Sequence, residues 1–144
     1  MADPASHQPL PTPVPFVSPE TEPFWSAAKD GRLVVPFCTS CDHPIWYPKK
    51  FCGACGSLSV AWRETSGHGV IYSFSEIHRG EGPYAEAGHY VLALVDLDEG
   101  ARMLTNIVDA DPASLAVGQA VRVVFHPAGD SAALPRFTPF PAKA

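Results

Sequence analysis

The chain has few basic residues, no long apolar run and no cysteine outside one short segment. It has 144 residues, with 10 Lys and Arg against 15 Asp and Glu, so the formal net charge is −5. Such an acidic chain is a poor general binder of polyanions. Its longest apolar stretch, Val91 to Val95, is far too short to cross a bilayer. The first ten residues lack the basic start and apolar core of a secretory signal, so we expect a soluble, cytoplasmic protein.

The sequence also lacks the common catalytic motifs. It contains no Gly-x-Ser-x-Gly elbow, no phosphate-binding glycine loop with a lysine, and no dinucleotide fingerprint after a strand. His78, His89 and His126 are scattered along the chain, and we interpret them as surface residues. Asp98 and Glu99 fall in a predicted solvated turn. We therefore expect no catalytic residue here, so that the chain is not an enzyme on its own.

What the sequence does contain is four cysteines in two matched pairs. Cys38 and Cys41 form the first Cys-x-x-Cys pair, Cys52 and Cys55 form the second, and ten residues separate the pairs. Two residues between paired cysteines let both thiolates face one ion, and two such turns supply a closed tetrahedral shell of four sulfurs. The spacing therefore predicts a structural metal site. The ligand set does not separate zinc from iron, but we expect zinc because nothing nearby indicates an electron-transfer site.

Two other uses of these cysteines fit the sequence less well. Disulfides need an oxidising compartment, which an N-terminus without a secretory signal does not indicate. A redox dithiol needs one reactive pair near a βαβ pattern, whereas this chain has two matched pairs and no such pattern.

An arm and a short helix are predicted before the cysteines. Seven of the sixteen prolines fall before residue 24, and residues 1–17 show no apolar period, which predicts an extended proline-rich arm. Ser18-Pro19-Glu20 offers a capping hydroxyl, a proline and an acid, so we predict a helix from there to about Asp30. Phe24 and Trp25 lie on its apolar stripe. Core packing is the simplest interpretation of that stripe, and docking onto a partner is the alternative.

The chain after residue 62 is predicted to form a small barrel. Alternating segments predict four strands, with a glycine-containing hairpin turn between the second and third: 70–78, 90–97, 101–108 and 121–125. A fifth segment, 134–140, contains prolines that we expect to confine it to a barrel edge. The glycine-rich segment 79–88 predicts a long, mobile loop. Four or five strands so connected indicate a partly open Greek-key barrel such as the OB-fold.

Two aromatic residues on the first barrel strand bear on function. Strict alternation places Tyr72 and Phe74 on one face of that strand. Such residues could stack nucleic-acid bases, but in a barrel strand they more often belong to the core.

Taken together, these residues resemble one known family. The resemblance lies in Pro23-Phe24-Trp25, both cysteine pairs, the run from Ser66 to Phe74 and the run from Tyr90 to Leu97, and it covers about residues 19–140. The family is acyl-CoA-associated and has an N-terminal rubredoxin-like zinc ribbon and a C-terminal OB-fold. The resemblance implies a mainly β chain, with the arm over 1–17, helix and ribbon over 18–62, and barrel and tail over 63–144. Asp42 departs from the family pattern, which usually has glycine after the first pair.

The resemblance also implies a function. Members look like accessory subunits of thiolase-superfamily enzymes: some bridge a thiolase and a hydroxymethylglutaryl-CoA synthase, and others pair with sterol-carrier-type thiolase homologues that act as steroid side-chain aldolases. The partner is expected to supply the catalytic residues, and acyl-CoA is expected as an indirect partner, with direct contact between this chain and CoA left open. Members of the second kind often carry or accompany an enoyl-CoA hydratase. This sequence contains no hydratase domain, so we expect any hydratase to be a separate polypeptide, or no hydratase to be involved.

Residues outside the cysteines are candidates for contact with the partner or substrate. They are Phe24, Trp25, Lys49, Lys50, Arg79 and Tyr84. The alternative function is a nucleic-acid-binding module, because zinc ribbons and OB-folds both serve that purpose. The acidity of the chain speaks against this alternative.

Overall fold

The structure, a computed structural model, describes residues 10–141. Residues 1–9 of the predicted arm and residues 142–144 of the tail lie outside the described residues. Between them the chain forms one α-helix, seven strands and two single-turn 3₁₀ helices: α1 Glu22–Lys29, β1 Val34–Cys38, β2 Val60–Glu64, β3 His68–Ile77, 3₁₀ Gly82–Tyr84, β4 Tyr90–Leu97, β5 Arg102–Ile107, 3₁₀ Pro112–Ser114, β6 Ala120–Ala128 and β7 Ala132–Pro139. No helix within 10–141 has the length and apolar character needed to cross a membrane.

Five of the strands close into a barrel, which confirms the predicted fold class. Their order is β3-β4-β5-β7-β6, and β3 also pairs with β6 to complete the ring. Strand β4 has the predicted bounds, and it pairs with β5 through the predicted hairpin turn. Gly100 in that turn has a φ of 99°, a conformation that glycine adopts without strain.

The prediction that the proline-rich last segment lies on a barrel edge is wrong. Strand β7 lies between β5 and β6 and pairs with β6 along its whole length. On the β5 side, Phe137 O accepts from Val108 N, and Pro135 O accepts from Thr105 Oγ1. Because only one residue pair of the ladder joins β5 and β7, the missing proline N–H groups break few ladder bonds.

The predicted shared face for Tyr72 and Phe74 is also wrong. The pairing of β3 with β4 shifts register between Ile71 and Ser73, as in a β-bulge. One extra residue inverts the alternation of every side chain that follows. Ile71 and Phe74 therefore both pack against the core, whereas Tyr72 points outward and is 47% exposed.

The helix α1 begins later than predicted, at Glu22. Ser18 does not cap the helix, because its hydroxyl lies 3.1 Å from Thr21 Oγ1, and its carbonyl accepts from the amides of Thr21 and Glu22. These bonds form a turn before the helix. The predicted end of the helix near Asp30 is confirmed, since Gly31 has a φ of 77° and donates its N–H to Ala28 O.

One hydrophobic core joins the helix and β1 to the barrel. Phe24 of α1 and Val35 and Phe37 of β1 belong to the same buried cluster as Ile71 and Phe137 of the barrel. A second, smaller cluster lies at the cysteine end of the ribbon. Strand β2 crosses the predicted boundary at residue 62, and that boundary stays a prediction.

Candidate metal centre and neighbouring surfaces

Two similar turns bring the four cysteines together. In the first, Asp42 N donates to Cys38 O at 2.8 Å, and in the second, Gly56 N donates to Cys52 O at 2.9 Å. Asp42 has a φ of 62° and Gly56 a φ of 77°, so both turns need a left-handed residue at the same place. Asp42 therefore stands where glycine would be free of strain, and its carboxylate pairs with Arg63.

The four sulfur atoms form a cluster that can hold a metal ion. Cys38 Sγ lies 3.6 Å from Cys55 Sγ, Cys41 Sγ lies 3.6 Å from Cys52 Sγ, and all four lie within 4.8 Å of one another. A tetrahedral ion with metal–sulfur bonds of about 2.3 Å places its sulfurs about 3.8 Å apart. All four cysteines are free of disulfides. The geometry fits a metal bound by four thiolates.

Backbone amides favour the thiolate form of one cysteine in each turn. Cys38 Sγ lies 3.5 Å from Cys41 N, and this bond, with a second from the Ser40 amide, lowers the pKa of Cys38 to about 6. The pKa of Cys52 is lowered in the same way by the Cys55 and Ala54 amides. A thiolate is the form that binds metal, so these turns prepare the site.

Few apolar residues support the cysteine turns. Within residues 10–141, Cys38 and Cys52 are buried with Ile45, and Val60 is the one partly buried hydrophobic residue that packs against them. Cys41 and Cys55 are exposed. So small a cluster buries little apolar surface, and metal bonds are the main source of stability that the sequence offers there.

An apolar groove lies between the helix, the ribbon and the barrel. Its volume is about 400 Å³, a size typical of ligand and side-chain pockets. Trp25, Trp46 and Tyr84 line it, and Tyr47 and Leu104, which are 57% and 65% exposed, also belong to its lining. Trp25 Nε1 is buried without a hydrogen-bond partner in the described residues.

A buried arginine that the sequence analysis missed also lines this groove. Arg136 is 1% exposed and lies within 4 Å of no carboxylate in residues 10–141. Its guanidinium donates to the carbonyls of Leu10 and Pro11, to the Tyr84 hydroxyl and to His126 Nδ1. It thus ties residues 10 and 11 of the arm and the 79–88 segment to the barrel. An arginine between prolines gives no sequence signal of such burial.

The predicted contact residues fall in different environments. Phe24 is 5% exposed and packs in the core, as the simpler interpretation of its helix stripe required. Trp25 and Tyr84 line the groove. The remaining three are exposed and lie outside the groove lining: Lys49, Lys50 and Arg79. Contact of any of them with a partner stays a prediction.

Two histidines that the sequence analysis described as scattered meet in space. The rings of His78 and His89 have centroids 4.2 Å apart, and Glu76 lies beside both. The antiparallel pairing of Ile77 with Tyr90 places them opposite each other. Knowing the register of β3 and β4 would have revealed this cluster, whereas spacing along the chain does not.

The ribbon with four converging thiols and the closed five-stranded barrel define a protein of the metal-ribbon and OB-fold class. Family models match both parts: "ChsH2, rubredoxin-like zinc ribbon domain" over residues 25–61 and "ChsH2, C-terminal OB-fold domain" over residues 62–126. The chain belongs to this ChsH2-type, or DUF35, family.

A solved structure and curated relatives share this architecture. The chain resembles a chain of the structure described as "Ltp2-ChsH2(DUF35) aldolase" at 34% identity and a TM-score of 0.77, covering 87% of this chain and 98% of that one. A Methanothermobacter thermautotrophicus "DUF35 domain-containing scaffold protein" is 35% identical over 61% of this chain and 67% of its own length.

Two longer relatives bear hydratase names. A Thermomonospora curvata "probable enoyl-CoA hydratase alpha subunit" is 35% identical over 88% of this chain, which spans 40% of that protein. A Mycobacterium tuberculosis "3-oxo-4,17-pregnadiene-20-carboxyl-CoA hydratase alpha subunit" is 32% identical over 77% of this chain, which spans 35% of that protein.

Proposed function

We propose that this chain is a non-catalytic accessory subunit that binds and supports a thiolase-superfamily partner acting on an acyl-CoA. The observation that carries the proposal is the likeness, over nearly the whole of both chains, to the DUF35 chain of the Ltp2-ChsH2 aldolase. The partner's reaction is proposed to be retro-aldol cleavage, in line with the description of that structure as an aldolase, and its substrate a steroid-type side chain, in line with the pregnadiene-carboxyl-CoA name of one relative. C–C condensation is the other reaction that the family resemblance implies. An enoyl-CoA hydratase is proposed as a further functional partner, in line with the hydratase names of two longer relatives.

The metal is proposed to be a structural zinc ion held by Cys38, Cys41, Cys52 and Cys55. All four thiols of the chain belong to this cluster, so no position is left for substrate or water once the shell is complete. Iron fits the same shell, and the two metals differ in colour, since an iron site of this kind is red and a zinc site is colourless. Metal analysis of the purified protein is expected to give one zinc per chain.

The apolar groove and its rim are the proposed surface for the partner. Tyr47 and Leu104 are large side chains that stand exposed beside Trp25, and exposed apolar clusters of this kind mark interaction sites. Aromatic anchors that enter or surround a pocket carry most of the energy of typical interfaces. Tyr84 and Arg79 are proposed to contact the partner or its substrate from the adjacent loop.

The test is co-purification of the full chain with an Ltp2-type protein, followed by an assay of retro-aldol cleavage of a 3-hydroxyacyl-CoA. Tyr47→Ala with Leu104→Ser is expected to lower the affinity at least tenfold without unfolding the chain, because both side chains are exposed. Leu58→Ser is the matched control, since Leu58 is 80% exposed and lies outside the groove lining. Cys38→Ser is expected to unfold the ribbon and lose the partner.

Three results would count against the proposal. An intact complex with Cys38→Ser would show that the ribbon is dispensable. Equal loss with Leu58→Ser and with the groove variant would reject this surface. Absence of any complex, together with nucleic acid retained on a filter at low salt, would favour the nucleic-acid-binding alternative. For that alternative the structure offers Tyr72 as a stacking surface, but the Arg102 guanidinium already lies 3.4 Å from its ring centroid.

A further inference from the structure

We propose that Glu76, His78 and His89 form a second site for a divalent metal ion, independent of the four cysteines. The site lies on the barrel, where β3 ends and β4 begins. Its expected ligands are borderline transition-metal ions such as Zn²⁺ and Ni²⁺, which imidazole nitrogen binds well. Nothing in the proposed accessory function requires this ion.

The distances between the two rings carry the proposal. His78 Nδ1 lies 3.3 Å from His89 Nε2. Two imidazole nitrogens bound to one tetrahedral ion at about 2.0 to 2.1 Å stand about 3.3 Å apart. The planes of the two rings meet at 72°. The ring centroids are closer, at 4.2 Å, than the roughly 5 Å expected for two imidazoles whose lone pairs point at one tetrahedral ion, so binding requires the two exposed side chains to rotate while the backbone stays unchanged.

The carboxylate of Glu76 lies near the two ring nitrogens that do not face each other. Glu76 Oε1 is 3.3 Å from His89 Nδ1, and Oε2 is 3.9 Å from His78 Nε2. By accepting a hydrogen bond from the outer N–H of a ring, a carboxylate fixes the tautomer that leaves the inner nitrogen free for metal. Glu76 Oε1 can act in this way toward His89 Nδ1, whereas 3.9 Å to His78 Nε2 is too long for a hydrogen bond, and the charge of Glu76 offsets part of the charge of the ion.

The surroundings favour an exchangeable ion rather than a permanent one. All three side chains are exposed, so an ion reaches them directly from solvent. Two histidines leave at least two positions of a tetrahedral ion open to water or to a further ligand. Because His78 and His89 stand at the two ends of the 79–88 segment, a bound ion would tie the base of that loop together.

The experiment is a calorimetric titration of the full chain, with metal already bound at its cysteines, using Zn²⁺ and, separately, Ni²⁺. A second equivalent is expected to bind to the wild type and to be lost in His78→Ala and in His89→Ala. Glu76→Gln is expected to weaken binding 10–100-fold, as loss of an outer partner does in known sites. His68→Ala is the matched control, because His68 lies against Phe140 and away from the cluster.

Either of two outcomes overturns the proposal. The wild type could bind no ion beyond the first, in which case the rings share only a hydrogen bond. Alternatively, His78→Ala and His89→Ala could both keep the second equivalent, which would place that ion elsewhere on the chain.

Discussion

At the scale of single residues, the buried Arg136 and the partly buried His126 form a polar contact. Arg136 Nη1 donates to His126 Nδ1 at 2.9 Å, which requires the imidazole to be neutral at that nitrogen. Burial lowers the pKa of His126 below its ordinary value of 6.5, and the charge of Arg136 lowers it further, although Asp109 acts in the opposite direction. Protonation of His126 would place two positive groups together.

This contact predicts a loss of stability in acid. Because the pKa of His126 is lower in the folded chain than in the unfolded chain, the unfolded chain binds more protons as pH falls below about 6.5. The free energy of unfolding is therefore expected to be highest above that pH and to decrease as pH falls from it toward the folded pKa. Urea unfolding of wild type and His126→Gln between about pH 7.5 and 5.5 measures the effect, since glutamine keeps an acceptor that does not titrate in this range.

The effect of His126 is read from the difference in unfolding free energy between wild type and His126→Gln, because metal release makes the stability of both depend on pH. His126→Gln is expected to show a flatter pH dependence than the wild type. His68→Gln serves as the control and should follow the wild type. Parallel curves for wild type and His126→Gln would show that His126 keeps its ordinary titration in the folded chain.

At the scale of elements, the sequence predicts those parts of the barrel in which local chemistry and pairing agree. Strand β4 and the turn at Gly100 were predicted correctly because the alternation of apolar residues and the glycine both mark a hairpin. The four cysteines were predicted to lie together because the spacing within each Cys-x-x-Cys pair is that of a metal-binding turn.

Other elements depend on partners that the sequence does not name. Nothing in the run from Ile71 to Phe74 marks the register shift, because the bulge arises from the pairing of β3 with β4. The prolines of β7 indicated an edge strand, but β7 lies within the ring. The ring tolerates these prolines because β7 shares only one ladder pair with β5. The cluster of His78 with His89 also depends on strand register, and the burial of Arg136 depends on the arm that crosses the barrel.

Gly69 tests how tightly β3 approaches β4. A Cβ at this position would collide with the backbone oxygen of Asp96 and would lie 2.9 Å from Val95 Cγ1. Gly69→Ala is therefore expected to destabilise the chain by roughly 1–3 kcal/mol, the usual range for overpacking. Urea unfolding measures this, with Gly53→Ala as the control because a Cβ there meets no atom within 4 Å. Equal stability of Gly69→Ala and Gly53→Ala would mean that β4 moves away from the added Cβ with no loss of unfolding free energy.

At the scale of the whole molecule, the described residues form one large core and one small one, and the four cysteines that can hold a metal lie at the small one. The large core joins Phe24 and Val35 to the barrel, so α1 and the start of the ribbon are held by apolar packing. The small core, as far as the described part of the chain shows it, consists of Cys38, Ile45 and Cys52, with Val60 against it. The large core thus includes residues from both sides of the predicted boundary at residue 62, and that boundary stays a prediction.

This arrangement predicts local rather than global unfolding when the metal is removed. A structural zinc contributes on the order of 10 kcal/mol to small metal-dependent folds, and the cysteine turns have little else to hold them. Removal of the metal by a chelator is expected to raise amide hydrogen exchange across about residues 38–59. The barrel strands β3–β7 should keep their protection, because their core contains no metal ligand. Cys38→Ser should reproduce the pattern without a chelator, and a comparable loss of protection in the barrel would show that the metal stabilises the whole chain.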